Sequence, residues 1–188
     1  MEKPVNIILG VTGGIASYKA ADLTSKLVGL GHSVRVVMTP SATGFIQPLT
    51  FEALTGHPVL LDGHLDAASS ATGAMAHIDW PRWADCAVIA PLTASTMGKL
   101  AHGIADNALL TLWLALASDV PQLLCPAMNP TMWSHPAVQR NILEIKAWER
   151  VHWCGPIDKR VACGETGVGG LEEVPRIVAH VQTLIERG

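Results

Sequence analysis

Residues 5–15 read VNIILGVTGGI, an apolar run rich in β-branched residues that leads directly into a glycine-rich turn. The run from Val5 to Val11 has the length and composition of a buried strand. Helical spacing of apolar residues then covers Ser17 to Leu30, and Gly31 stands where a helix commonly ends. The chain therefore opens as a β-strand followed by an α-helix.

The same alternation continues along the chain. Further strands are predicted at Ser33–Met38, Cys86–Ile89, Gln122–Cys125 and Val151–Trp153, and helices at Ser95–His102, Asn107–Ala117, Pro136–Ala147 and Glu172–Arg187. Strands that are apolar throughout and separated by helices are typical of a parallel sheet covered on both faces. Two stretches break this rhythm, Asp62 to Ala76 and Asp158 to Gly170, and we predict both as loops near the carboxyl edge of the sheet.

Composition limits the classes of protein to which this chain can belong. Its 188 residues suit one domain, which we place at residues 1–188. Only 15% of the residues are charged and 49% are hydrophobic, so we expect part of the surface to lie in a subunit interface. The 13 Lys and Arg residues are scattered and the net charge is −3, so no nucleic-acid partner is expected.

Membrane, export and metal sites are not predicted either. The most apolar stretch, Ala108 to Ala117, is too short to span a bilayer, and no secretory signal pattern opens the chain, so a cytoplasmic protein is expected. The four cysteines, which are Cys86, Cys125, Cys154 and Cys163, show no C-x-x-C spacing. We expect free thiols and no metal centre.

Two turns have the character of anion-binding sites. Residues Gly10 to Ile15 follow the first strand, where backbone N–H groups at a helix start can bind a phosphate. The turn lacks the dinucleotide pattern, and the second strand ends in Met38-Thr39 instead of an acidic residue, so a mononucleotide fits better than NAD. The third strand leads into Thr93, Ser95 and Thr96, of which capping needs only one. An ordinary tight turn remains the alternative for the glycines.

The segment Pro126-Ala127-Met128-Asn129-Pro130-Thr131-Met132-Trp133 is more specific. It resembles the P-x-M-N-x-x-M-W motif of the homo-oligomeric flavin-containing cysteine decarboxylases. The similarity extends to residues 10–19, to His77-Ile78 before Trp83-Ala84-Asp85, to residues 90–107 and to Ala162-Cys163-Gly164-Glu165.

This resemblance implies a Rossmann-like (flavodoxin-like) three-layer α/β fold, FMN at a subunit interface, and a trimer or an assembly of trimers. It implies FMN contacts by Gly13, Gly14, Thr39, Thr93, Ser95, Thr96, Asp106 and Met128. It also implies catalytic roles for His77, Cys163 and Asn129, and substrate contacts by Asn129, Met132, Lys19 and Arg82. Where many bacterial members have Arg-Met after the last glycines, this chain has Gly170-Leu171, which changes the contacts expected there.

The implied reaction is the decarboxylation of 4'-phospho-N-pantothenoylcysteine to 4'-phosphopantetheine in coenzyme A biosynthesis. The α-carbon of an acylated cysteine cannot hold the electrons of a departing carboxylate, so an electron sink must be made first. Oxidation of the CH₂–SH carbon by FMN gives a thioaldehyde, which accepts the electron pair as an enethiolate when CO₂ leaves. Cys163 then protonates the enethiolate, and reduced FMN completes the product. His77 orients the substrate or exchanges a proton.

Other interpretations remain open at this stage. A peptidyl-cysteine decarboxylase of the lantibiotic type performs only the oxidative half, and the presence of Cys163 argues against it. A flavin prenyltransferase shares the fold but is not expected to carry the Asn129 motif, and a non-catalytic regulator is expected to carry an acidic tail after the last helix.

Several candidate residues also have an ordinary structural interpretation. Asn129 could cap a helix, and Met128 and Met132 could fill the core. Cys86 and Cys125 are predicted core residues. Six histidines are predicted at the surface or as caps: His32, His57, His64, His135, His152 and His180.

Overall fold

A five-stranded parallel sheet forms the centre of the protein, whose computed structural model describes residues 4–63, 76–160 and 164–187. Its strands are β1 (Asn6–Val11), β2 (Ser33–Met38), β3 (Cys86–Leu92), β4 (Gln122–Pro126) and β5 (Val151–Trp153). They lie in the order β2-β1-β3-β4-β5, and each neighbouring pair is parallel. This is the flavodoxin-like order of doubly wound sheets, so the predicted fold class is confirmed.

Helices cover both faces of this sheet. The described helices are α1 (Tyr18–Gly29), α2 (Pro48–Thr55), α3 (Ala76–Trp83), α4 (Ala94–Ala101), α5 (Ala108–Leu114), α6 (Pro130–Ser134), α7 (Pro136–Lys146) and α8 (Val174–Arg187). Alternate residues of β1 point to opposite faces: Ile7 packs with Leu23 of α1 and Ile177 of α8, whereas Ile8 packs in the cluster that contains Leu109 of α5. Burial on both faces explains why the central strands β1, β3 and β4 are largely apolar.

The predicted loop from residue 158 to residue 170 is wrong, because this segment contains a β-hairpin. Strand β6 (Ile157–Arg160) pairs antiparallel with β7 (Thr166–Gly170). Its side chains are mostly exposed or half-buried, so no apolar alternation marks it in the sequence. The hairpin is attached to the end of β4 by the backbone: the Met128 N–H donates to the Gly169 carbonyl at 2.9 Å, and a Cβ at Gly169 would collide with the Met128 carbonyl oxygen.

Three short helices were not predicted from the sequence. Helix α2 is eight residues long and ends at Gly56, α3 contains Pro81, and α6 has only five residues. Short segments of this kind span too few turns to show a helical period, and prolines obscure it further. The predicted loop from Asp62 to Ala76 lies mainly outside the described residues.

Helix α1 ends in a turn that depends on glycine. Gly31 has φ +92°, its N–H donates to the Val28 carbonyl at 2.9 Å, and the His32 N–H donates to the Leu27 carbonyl at 3.2 Å. The turn directs the chain back into the fold at the start of β2, and His32 is only 5% exposed. The prediction of a surface or capping residue is therefore wrong for His32. It is confirmed for His135, whose Nδ1 accepts from the Ala137 N–H at the start of α7.

Within the described parts of the chain, no helix combines the length and the apolar character needed to cross a membrane.

Gly29 and Gly31 allow a matched test of the α1 turn, since an added Cβ at either position would meet no other atom within 4 Å. Gly29→Ala should raise the free energy of unfolding by up to about 1 kcal/mol, because alanine is the better helix former. Gly31→Ala should lower it by about 1–2 kcal/mol, because an L-residue is strained at positive φ. Urea unfolding measures both, and a loss of the same size in the two variants would contradict the assigned turn.

Candidate functional site

A cleft of about 1190 Å³ lies beyond the carboxyl ends of the central strands. Small-molecule sites usually measure about 300–1,000 Å³, so this cleft has room for a large ligand or for two ligands side by side. It brings together ten of the residues predicted for the site: Lys19, Gly13, Gly14, Thr39, Thr93, Ser95, Thr96, Met128, Asn129 and Met132.

Thr12 joins the turns that follow β1 and β3. Its side chain is fully buried, its hydroxyl donates to the Pro91 carbonyl at 2.7 Å, and it accepts from the Thr93 N–H at 3.0 Å. Within the β1 turn, the buried Ser17 hydroxyl lies 2.8 Å from the Thr12 carbonyl oxygen and 2.6 Å from that of Gly14. These two hydroxyls fix the wall of the cleft. Sequence reasoning missed them, although both flank the glycine pair.

The two glycines of this turn have different roles. A Cβ at Gly13 would lie 2.7 Å from the carbonyl carbon of Ser41, so the backbones of the β1 and β2 turns approach each other too closely for any side chain. A Cβ at Gly14 would meet only the Thr93 methyl group, at 3.8 Å. Gly13 therefore permits the close approach, whereas Gly14 leaves the surface of the cleft open.

Hydroxyl groups line the next part of the cleft. Thr93 caps α4, since its Oγ1 accepts from the Thr96 N–H at 3.4 Å and lies 3.2 Å from the Thr96 hydroxyl. Ser95 is exposed, and its hydroxyl bonds no other side chain in the described parts of the chain. Thr39 lies across the cleft within 3.2 Å of the Ser41 hydroxyl. These neutral groups suit the oxygens of a phosphate ester.

Asn129 lies at the end of β4 and is held at both ends of its amide. Its Oδ1 accepts from the Thr131 N–H at 2.7 Å and so caps α6, which confirms the capping interpretation. Its Nδ2 donates to the Glu165 carboxylate of the hairpin at 2.8 Å. This amide therefore already binds a carboxylate in the structure, and it does so at the wall of the cleft. Met128 and Met132 line the same region.

Among the residues that the structure describes, the charged side chains that line the cleft are all cations: Lys19, Lys99, Lys159 and Arg160. Lys19 and Lys159 both contact Glu173, at 3.1 and 3.3 Å, and their ammonium groups hold the pKa of this carboxyl below its ordinary value. Lys99 pairs with Asp106 at 2.7 Å. Of these four cations only Lys19 was predicted from the sequence as a site residue, because scattered lysines carry no motif that would bring them together.

Three of the predicted site residues that the structure describes are not among the groups that line this cleft. His77 and Arg82 lie on α3. Asp106 lines a smaller cavity of about 290 Å³ and contacts two residues that line the cleft, Lys99 at 2.7 Å and Asn107 at 3.3 Å. Cys163 lies outside the described residues. The roles suggested for these four side chains remain predictions.

The buried thiols are separate from this chemistry. Cys86 and Cys125 are fully buried, as predicted for core residues. Burial raises the pKa of the Cys86 thiol to about 12, so this residue is protonated and inert at neutral pH.

The sequence matches one protein family and is similar to several named proteins. The flavoprotein family matches residues 1–186. The coenzyme A biosynthesis bifunctional protein CoaBC of Bacillus subtilis is 46% identical over 92% of this chain but over 41% of its own length, so the chain spans less than half of that relative. The probable phosphopantothenoylcysteine decarboxylase of Streptococcus mutans is 37% identical over 94% of this chain and 96% of its own length.

Two solved structures share the fold of this chain over nearly its whole length. A PPC decarboxylase mutant complexed with pantothenoylaminoethenethiol has a TM-score of 0.89 and 31% identity, with 98% of this chain and 100% of that chain covered. The FMN binding protein AtHal3 has a TM-score of 0.87 and 31% identity, with 99% of each chain covered.

The close approach at Gly13 makes a testable difference between the two glycines. Gly13→Ala should lower the free energy of unfolding by about 1–3 kcal/mol, because the new methyl group overlaps the Ser41 backbone in a packed region. Gly14→Ala, the matched control, should change it by less than about 0.5 kcal/mol, the range usual for substitutions that break no contact. Denaturant unfolding without added ligand measures both. Equal stability of the two variants would contradict the assigned contact.

Proposed function

The chain belongs to the flavoprotein family, and from this premise we propose that it decarboxylates 4'-phospho-N-pantothenoylcysteine to 4'-phosphopantetheine in coenzyme A biosynthesis. The resemblance to cysteine decarboxylases is confirmed by relatives that carry this activity in their names and match over nearly their full length. One observation supports the proposal above all others. The Met128-Asn129 segment forms one wall of the same cleft whose other wall is the glycine turn after β1.

We propose FMN as the flavin. The glycine turn and the hydroxyls of Thr93 and Ser95 fit a terminal phosphate, and the cleft also has apolar groups such as Met128 and Leu171 for a planar ring. Thr39 stands at the end of β2, where dinucleotide-binding proteins commonly place an acidic residue that contacts a ribose. The FMN-binding neighbour AtHal3 supports the same choice.

The chemistry assigned to this chain is mainly positioning. When bound, the flavin supplies the reversible oxidation that makes the thiol carbon an electron sink. We propose that Asn129 holds the substrate carboxylate through Nδ2, the atom that now donates to Glu165. A neutral amide binds this group without the strong stabilisation of the ground state that a buried arginine would add. Loss of CO₂ is therefore not opposed by tight binding of the carboxylate.

Two further side chains have proposed proton-transfer roles. Cys163 is proposed to protonate the enethiolate carbon, since a thiol is largely protonated at neutral pH. His77 is proposed to orient the substrate or to exchange a proton near the thiol carbon.

We also propose a homo-oligomer, a trimer or an assembly of trimers, with the site shared between subunits. Two observations favour it. His77 and Arg82 do not line the cleft of their own chain, so a neighbouring subunit would have to supply them. Ile15 and Tyr18 line the cleft and are both 61% exposed, so they present apolar surface that a neighbouring subunit would cover.

The reaction can be tested with the purified holoprotein under anaerobic conditions. It should release CO₂ from 4'-phospho-N-pantothenoylcysteine and form 4'-phosphopantetheine without an external oxidant, because oxidation and reduction balance within one turnover. Mass spectrometry of the product and trapping of CO₂ measure this outcome. The absence of CO₂ with flavin-loaded protein would contradict the proposed function.

The reaction of the Cys163→Ser variant should stop at the enethiol, which is two hydrogens lighter than 4'-phosphopantetheine. Mass spectrometry distinguishes the two compounds. Normal product from this variant would exclude Cys163 as the proton donor.

Sharing of the site between subunits predicts complementation. His77→Asn and Asn129→Ala should each be inactive alone, but co-expression should restore activity. In randomly mixed oligomers about one quarter of the interfaces combine an intact cleft with an intact His77 from the neighbour. Co-expression of His77→Asn with His77→Ala serves as the control and should stay inactive. Failure of the first pair to recover activity, with mixed oligomers verified by native mass spectrometry, would exclude a shared site.

A further inference from the structure

The cleft offers anions two chemically different surfaces. One consists of backbone groups and neutral hydroxyls in the turns after β1 and β3. The other is cationic and consists of Lys19 on α1 with Lys159 and Arg160 on the hairpin. The proposed reaction likewise brings two phosphate groups to the cleft, one on the flavin and one on the substrate. The cationic surface is therefore available for a second phosphate.

The side chain of Lys159 passes over Gly170 to reach this surface. A Cβ at Gly170 would lie 2.6 Å from the Cγ of Lys159 and 2.9 Å from its Cδ, so the lysine stem occupies the space that a side chain at residue 170 would need. Beyond this point the Lys159 ammonium group lies 3.3 Å from Glu173 Oε1. The missing side chain on β7 thus forms the groove that directs Lys159 toward the cleft.

Glu173 brings this ammonium group together with that of Lys19. The two nitrogens contact the same oxygen, Oε1, each at 3.3 Å. Glu173 does not line the cleft and is 57% exposed, and ion pairs this exposed contribute little to stability. Stability therefore does not account for the arrangement. Its clear consequence is geometric, because two cations are kept close enough to contact one phosphate group.

The hairpin also connects this pair of lysines to the part of the cleft that holds a carboxylate. Glu165, which contacts Asn129 Nδ2, directly precedes β7, and Thr166 of β7 pairs with Arg160 of β6. The hairpin therefore contacts the cleft at two places. One is the Asn129 amide, which binds a carboxylate, and the other is the pair formed by Lys19 and Lys159. An elongated substrate with a carboxylate at one end and a phosphate at the other has this distribution of charge.

The family resemblance implies a substrate contact by Lys19, and we propose that Lys159 joins it in binding the phosphate group of the substrate and determines the preference for phosphorylated over unphosphorylated substrate. This inference rests on the proposed function. A phosphate monoester carries about −1.5 to −2 charges at pH 7 and accepts charge-assisted hydrogen bonds from both ammonium groups. Glu173 offsets only one of the two positive charges, and Arg160 adds another at the cleft.

The test compares 4'-phospho-N-pantothenoylcysteine with N-pantothenoylcysteine as substrates of the holoenzyme. Lys159→Ala should lower kcat/KM for the phosphorylated substrate by roughly 10- to 100-fold, mainly through KM, because a hydrogen bond to a charged group is lost. The value for the unphosphorylated substrate should not change. Lys26→Ala is the matched control, since Lys26 pairs with Asp22 on the outer surface of α1, and it should alter neither substrate.

A second, independent test moves the positive charge from Lys159 on β6 to residue 170 on β7. Gly170→Lys alone should impair the enzyme, because the new side chain overlaps the Lys159 stem. In the double variant Lys159→Ala with Gly170→Lys the groove is vacant, so the ammonium group can be supplied from β7 and the preference for phosphate should return. A double variant no better than Lys159→Ala would contradict the role of a cation at this place.

Further measurements distinguish binding of the substrate phosphate from two other roles for Lys159, which are positioning of the hairpin and binding of the flavin phosphate. An equal loss for both substrates in Lys159→Ala would overturn it, because the lysine would then act only on the position of the hairpin. A weaker affinity for FMN, measured by fluorescence, would also overturn it, because the cations would then bind the flavin phosphate. Calorimetry with 4'-phosphopantetheine and pantetheine needs no turnover. Tighter binding of the phosphorylated compound, lost in Lys159→Ala, supports the site even if the enzyme releases no CO₂, and equal binding of the two compounds overturns it.

Discussion

One buried hydroxyl group holds the cleft together. Parallel strands place their carboxyl ends at the same edge of the sheet, but neighbouring turns still need a connection that fixes their separation. Thr12 supplies it by donating to Pro91 and accepting from Thr93. Gly13 completes the wall, because only a residue without a side chain allows the β1 turn to approach Ser41 so closely. The proposed binding of a phosphate by the cleft depends on this pair of turns.

The hairpin adds charged side chains to the cleft. It is joined to the end of β4 through backbone contacts at Gly169, and it carries Glu165 toward Asn129 and Lys159 toward Lys19. The turns after the strands therefore supply neutral hydroxyls, and the hairpin adds Lys159 and Arg160 to the cations Lys19 and Lys99 of helices α1 and α4. Two ligands of different chemistry, a flavin and an acidic thiol substrate, suit such a site.

Local sequence signals predicted much of this arrangement. Continuous apolar runs identified the central strands β1, β3 and β4, because a strand buried on both faces must be largely apolar, and the edge strands β2 and β5 were predicted as well. Glycines and hydroxyls directly after strand ends identified the walls of the cleft, since the fold brings strand ends together. The hairpin was missed because its side chains are largely exposed, and Lys159 was missed with it. Its position depends on contacts with Gly170 and Glu173, which no local pattern encodes. His77 could not be placed for a related reason, since one chain does not bring it to the cleft.

The turns after β1 and β3 are proposed to form the phosphate-binding wall of a flavin mononucleotide site. Titration of flavin-free protein with FMN and with riboflavin, followed by quenching of flavin fluorescence, tests it most directly because the two compounds differ only in the phosphate. We expect one FMN per chain and binding of riboflavin at least about tenfold weaker, since charge-assisted hydrogen bonds to the phosphate are lost. Equal affinity for the two flavins, or no binding of either, would contradict the account.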